Sequence, residues 1–431
     1  MNKPFAWLIM LAGLLVLASS GRAQIQIQIE SEGLRRVPIA IAEFPGEGDG
    51  DLRLSQVIVD DLRRSGRFRS ELGSPDPSYA IGGTPFHSSA LRHNLEYVLV
   101  GRVDAGEDKI KISFQLFDAL TGKNFETYSI SVEEGQQRLA AHVVSNWLSE
   151  QILGIEGAFT SKIAYVLKSG PKSDALYELK VADYDGHNPQ TVVKSTEPLI
   201  SPEWSPDGNS LYYVSFEQQR PIIYEFNLLR GEPRVVAAFS GNNSAPAVSP
   251  DGRWLAAALS EAGSTNIFLI SMDGTRRLRM RESSAINTEP DFAPDGRAIA
   301  YVSDELGSPH IYIWNQDDGS ETRLTYNSYN VSPAYSPDGS VLAYVRRDEK
   351  GFNIHAMETG GEGRSIPLTS IRRADSPSFS PDGSMVLFKD EDYTNRLFTV
   401  SVAGKILFAL PRSEQGEIIN PLWGPIRSSW Y

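Results

Sequence analysis

The 431-residue chain contains no cysteine. That absence excludes disulfides, thiolate metal sites and a thiol nucleophile together, and leaves stability to ordinary core packing. Histidine is scarce: His87, His93, His142, His187, His310 and His355 never fall in His-Glu-x-x-His or another ligand spacing, so no metal or cofactor is expected. They read as surface or packing residues. No Gly-x-Ser-x-Gly is present, which removes the nucleophile elbow of a hydrolase domain. Basic charge is short, with 41 Lys and Arg against 54 Asp and Glu, a net of −13. This balance argues against nucleic acid and anionic membrane as partners.

Long apolar runs are also few. The stretch Phe5 to Leu17, preceded by Lys3 and followed by Gly21-Arg22-Ala23, has the order of a secretory signal over residues 1–23. It is too short to span a bilayer, so a mature, periplasmic chain that starts at Gln24 and is not membrane-embedded is expected. Without Lys3 and Arg22 the balance becomes 39 basic to 54 acidic, a net of −15.

What the chain does have is a repeat. Ser-Pro-Asp-Gly recurs at Ser205, Ser249, Ser336 and Ser380, with Ala293-Pro294-Asp295-Gly296 in register. The prolines Pro206, Pro250, Pro294, Pro337 and Pro381 are spaced 44, 44, 43 and 44 apart, and a second series, Pro202, Pro246, Pro290, Pro333, Pro377 and Pro421, keeps the same beat. Each unit carries four short strands; Pro presets φ for the turn and Gly takes the left-handed position that closes the hairpin. Four strands in 40 to 45 residues is the propeller signature. The first unit begins in mid-blade at Ile163, and Pro421 to Ile426 is an orphan strand that completes it, giving six blades with no open edge. The expected fold class is an all-β six-bladed β-propeller over 156–431, preceded by a small mixed α/β domain over 24–155.

In that first domain a strand is expected at Val37 to Phe44, then a helix capped by Asp51 and stopped by Gly66. Ser70 to Ser89 reads as loop, and strands follow at Tyr97 to Val103, Lys109 to Phe117 and Phe125 to Val132. A closing helix, Gln136 to Leu153, places Leu139, Val143 and Trp147 on one face, and Gly154 to Phe159 is the linker. The segment Gln24-Ile25-Gln26-Ile27-Gln28-Ile29-Glu30 alternates strictly, either as an edge strand of this domain or as a segment that pairs with a partner.

Five aspartates, Asp207, Asp251, Asp295, Asp338 and Asp382, recur at one place per blade. Inside a tight turn they are expected to hold local backbone instead of a cation. Strand alternation puts all the Pro-Asp-Gly and Asp-Gly turns at one end of the ring and the longer, dissimilar loops at the other. The linker enters at the turn end, so the loop end is left for recognition.

The linker Gly157-Ala158-Phe159, Val37-Pro38-Ile39-Ala40-Ile41, and the inter-blade stretches Asn243-Ser244-Ala245-Pro246 and Asn287-Thr288-Glu289-Pro290 resemble the TolB family of the Tol-Pal system. The resemblance covers essentially the whole mature chain. It implies a non-enzymatic, monomeric periplasmic component that binds the lipoprotein Pal through Asn242, Asn243, Ser244, Ala245, Asn287, Thr288, Glu289, Tyr329, Asn330 and Asp375. Asn242 stands where the family often carries His. It further implies that Gln24, Ile25, Gln26, Ile27, Gln28, Ile29 and Glu30 bind TolA and report whether Pal is bound. The system would maintain outer-membrane integrity and draw that membrane inward at division. A propeller hydrolase and an unrelated periplasmic scaffold are the competing readings.

Overall fold

The computed structural model describes residues 35–48, 53–84, 87–106, 108–261, 263–327, 329–360, 364–412 and 415–426. The expected signal and the segment 24–30 lie outside them. Among the described residues no helix is long and apolar enough to cross a membrane.

The N-terminal domain is a five-stranded sheet backed by helices. Strands β1 (Val37–Ile41), β2 (Phe68–Leu72), β3 (Tyr97–Ala105), β4 (Lys109–Asp118) and β5 (Tyr128–Glu133) are ordered β2-β1-β3-β4-β5. Helix α1 (Leu54–Arg64) crosses from β1 to its parallel neighbour β2, α2 (His87–Arg92) is one short piece, and α3 (Gln137–Leu153) closes the domain. Three expectations change. The predicted loop 70–89 contains the end of β2 and the start of α2, because β2 is only five residues with an alternating half-buried pattern. Arg53, not Asp51, is the N-cap position of α1 and supplies no capping bond. Glu47 does that work from upstream, accepting Ser55 N–H at 2.7 Å and Ser55 Oγ–H at 2.6 Å. Helix α3 buries Ala140, Ala141, Val144 and Leu148 with His142, Ser145 and Ser149, while Leu139, Val143 and Trp147 are half-buried. The inner face is partly polar because it lies at a junction between domains.

The propeller has six four-stranded sheets. Blade 1 is closed by Glu417–Trp423, which pairs antiparallel with Lys162–Ser169 and starts four residues before the expected Pro421. The ring therefore has no unpaired first strand, as the orphan segment implied. In each Ser-Pro-Asp-Gly turn the aspartate serves the turn itself. Asp207 accepts Ser205 Oγ–H at 2.6 Å and Asn209 N–H at 3.0 Å, and Ser205 Oγ accepts Ser210 N–H at 2.9 Å. The same bonds recur at Asp251, Asp338 and Asp382. Gly208, Gly252, Gly296, Gly339 and Gly383 sit at φ between 67° and 73°, which is why only glycine ends this turn without strain.

The N-terminal domain does meet the propeller at its turn end. One continuous core joins Ile58, Leu62, Val144 and Leu148 to Phe159, Tyr184, Met385, Leu387 and Trp423. Tyr184 stacks on Trp423 at 6.0 Å, and Trp423 Nε1–H donates to Ser161 Oγ at 2.6 Å. Asn146 ties the linker to α3 by accepting Phe159 N–H at 3.0 Å and donating to Thr160 Oγ1 at 2.8 Å.

Candidate interaction surface

The opposite end carries the loops, and its frame is set by the first strand of each blade. These six strands pack around the axis. Each is interrupted by a register shift next to the repeated Pro202, Pro246, Pro290, Pro333, Pro377 or Pro421. The residue before each proline, Ser201, Ala245, Glu289, Ser332, Ser376 and Asn420, has φ between 43° and 54°. A residue preceding proline ordinarily avoids this region, so the same strained bulge is built six times.

The bulge frees backbone donors, and polar side chains of the neighbouring blade accept them. Glu289 accepts Ser332 N–H at 2.7 Å, Asp291 accepts Tyr335 N–H at 2.6 Å, Ser378 Oγ accepts Trp423 N–H at 2.9 Å, and Asn420 accepts Ser201 N–H at 3.2 Å. Glu203 accepts Val248 N–H in the same way. These contacts stitch inner strands together around the axis. They also line it with carboxyls. Burial pushes Asp291 up to about 7. Burial, and then Asp291, push Glu203 well above the usual carboxylate range. Burial also raises Glu289, with Asp375 adding to it.

The ten residues expected to bind Pal all belong to this end but play different parts. Asn243, Asn287 and Asn330 are the first residues of successive inner strands and are 0%, 2% and 1% exposed. Their side chains hold loops. Asn243 accepts Phe239 N–H at 2.9 Å and donates to Phe239 O at 2.8 Å and Gly241 O at 3.2 Å. Asn287 donates to Asn266 Oδ1 at 3.0 Å, and Asn330 donates to Asn327 O at 3.0 Å. Replacing Asn243 by Ala leaves buried backbone groups without partners and is expected to cost about 1–3 kcal/mol, read from the urea midpoint.

Asn242, Ser244, Ala245, Thr288 and Glu289 are half-buried, with Asn242 donating to Ser244 Oγ at 2.7 Å. Asp375 pairs with Lys389 at 3.3 Å. Tyr329 is exposed and packs edge-on against Phe352. Sequence reasoning missed the exposed apolar side chains beside them: Ile286 is 54%, Leu306 60%, Tyr326 61% and Tyr393 57% exposed, the first three in loops and Tyr393 at the end of a short 3-10 turn between strands. Their signal was position alone, a large apolar residue within a loop whose length differs between blades. Glu203 and Asp291, which follow the repeated prolines, were also missed.

Comparison with known proteins agrees with this architecture. Residues 149–427 match the TolB beta propeller domain and residues 25–125 the TolB amino-terminal domain. The Tol-Pal system protein TolB of Chromobacterium violaceum is 39% identical over 243 residues, 55% of this chain and 54% of the relative. That of Xanthomonas campestris pv. campestris is 36% identical over 252 residues, 57% of each. The chain thus spans just over half the length of these curated relatives. The crystal structure of TolB from Acinetobacter baumannii superimposes with a TM-score of 0.81 at 34% identity, covering 91% of this chain and 97% of that one. With its propeller, its N-terminal domain and its closing strand all accounted for, the chain belongs to the TolB family.

Proposed function

We propose that this protein is a non-enzymatic, periplasmic component of the Tol-Pal system that binds Pal on the loop end of the propeller and TolA through residues 24–30. In this role it acts as a monomer, maintains outer-membrane integrity and supports invagination at division. The observation that carries the reading is the loop end itself: exposed Ile286, Leu306, Tyr326 and Tyr393 surround an axis lined by Glu203, Glu289, Asp291 and Asp375 on a rigid, six-fold frame. Large exposed apolar side chains on a rigid face are the anchors that a specific protein interface uses. The acidic centre favours a partner that brings a basic side chain to the axis. The axial carboxyls Glu203, Glu289 and Asp291 each accept a backbone N–H, which supports a structural role for them over acid or base chemistry.

Calorimetry with purified Pal and with the soluble part of TolA tests the assignment. Deleting residues 24–30 is expected to remove TolA binding and leave Pal binding in place. Loss of both, or of neither, contradicts the division of labour.

A further inference from the structure

The junction between the two domains contains a buried ionic cluster that the partner-binding account does not use. His142 of α3 is 1% exposed, and Asp61 of α1 and Asp185 of the turn after blade 1's strand Leu176–Asp183 are both 0% exposed. His142 Nδ1 lies 2.8 Å from Asp61 Oδ2, and Nε2 faces Asp185 Oδ2 at 3.5 Å with no hydrogen-bond partner of its own. The other groups around the ring are charged or polar too. From α1, Arg64 lies 3.9 Å from Asp61 and 3.7 Å from Asp185. From α3, Arg138 Nε–H donates to Asp185 at 2.9 Å. From the propeller, the Tyr184 hydroxyl donates to Asp61, the Tyr184 ring sits edge-on to the imidazole at 5.2 Å, and His187 Nδ1 lies 3.2 Å from the other oxygen of Asp185.

The three ligand-type side chains are close enough to hold a metal ion. Arg64 and Arg138 already set two guanidiniums against Asp185, so a divalent ion would add two further positive charges beside them, where the imidazolium adds one. The imidazole presents a different demand. A neutral ring has one N–H and one lone pair, so in either tautomer a lone pair is set against a carboxylate; only the imidazolium donates on both sides.

We propose that His142 is a proton-operated latch between the domains: protonated, it clamps α1 and α3 to the Tyr184–Asp185 corner of blade 1, and its deprotonation loosens that attachment. Burial alone would lower the basicity of His142, but Asp61 and Asp185 outweigh it and raise it above the ordinary 6.5. A folded-state value raised in this way contributes stability that is complete below about 6.5 and disappears as pH climbs through the folded value. The latch is therefore closed below about 6.5 and opens as pH rises through the raised folded value. Because this junction joins the N-terminal domain to the propeller, its tightness sets how rigidly the two move together.

The cysteine-free chain allows a clean test. Spin labels are placed by Leu120→Cys in the N-terminal domain and Leu229→Cys in blade 2, positions 56% and 73% exposed. The interlabel distance is followed by pulsed electron resonance from pH 5.5 to pH 9.5, alongside nuclear resonance titration of His142. One narrow distance at low pH is expected, broadening in step with His142 deprotonation. His142→Gln should be broad at every pH, and His187→Gln should keep the step. A distribution in the unsubstituted background that does not change with pH overturns the proposal, as does a step that persists in His142→Gln. The first of these readings stands even if His142→Gln fails to fold.

Discussion

Trp423→Ala is expected to lower stability by about 3–5 kcal/mol, the usual cost of deleting a large buried aromatic. Trp423 is 5% exposed, stacks on Tyr184 and donates to Ser161. It ends the strand that closes blade 1 and belongs to the core shared with α1 and α3. Its loss therefore weakens ring closure and domain attachment at once. Whole domains are stable by only about 5–15 kcal/mol, so the thermal transition should move down by several degrees and begin to separate into two. Removing residues 417–431 altogether should be more severe, because Lys162–Ser169 then presents an open edge. Calorimetry of the substituted chain checks the first claim; a single transition at the original temperature contradicts it.

The second large effect concerns binding and not stability. Ile286→Asp and Tyr326→Asp each put a charge where the loop end offers an apolar anchor. Anchors of this kind contribute about 2 kcal/mol or more to an interface, so affinity for Pal should fall roughly 30-fold for each change. Both side chains are more than half exposed, and folding stability should shift by no more than about 0.5 kcal/mol. Titration calorimetry and urea unfolding on the same samples separate the two quantities. Unchanged affinity with unchanged stability would remove these residues from the interface.

The propeller was legible because its signal is periodic. Pro-Asp-Gly spaced 43 or 44 residues apart marks one turn per blade, and the orphan strand near Pro421 follows from counting. The turn end and loop end also followed from strand alternation. Less legible was what each loop residue does. Asn243, Asn287 and Asn330 stand in corresponding places, and the sequence shows that they recur but not that all three are buried. Asn243 is covered by its own preceding loop, Phe239 to Gly241, and Asn287 by Asn266 on another strand of the neighbouring blade, and neither arrangement is marked by the repeat itself. The axial carboxyls were hidden for another reason. Glu203 and Asp291 occupy the position after the repeated proline, where Ala247, Ala334, Ser378 and Leu422 stand in the other blades, so no pattern marks them.

The ionic junction was the least visible of all. Asp61, His142 and Asp185 come from α1, α3 and a blade turn, and no local spacing joins them. His142 read as an ordinary packing histidine because only the docking of two domains gives it two carboxylates. In the N-terminal domain, β2 escaped because Phe68-Arg69-Ser70-Glu71-Leu72 is short and half polar, and is held in place by pairing with β1. The stop at Gly66 was readable; that glycine lies at φ 71°, and a Cβ there would meet Ser401 Oγ at 2.5 Å.

The central claim is that the loop end of the propeller is the docking face for Pal. Hydrogen exchange of the full chain with and without Pal tests it most directly, because it reads every segment at once. New protection is predicted at Ala285 to Glu289, at Leu306 and at Tyr326, with the Pro-Asp-Gly turns at Ser205 to Gly208 and Ser336 to Gly339 unchanged. Protection confined to those turns or to the N-terminal domain, with the loop end exchanging as before, would contradict it.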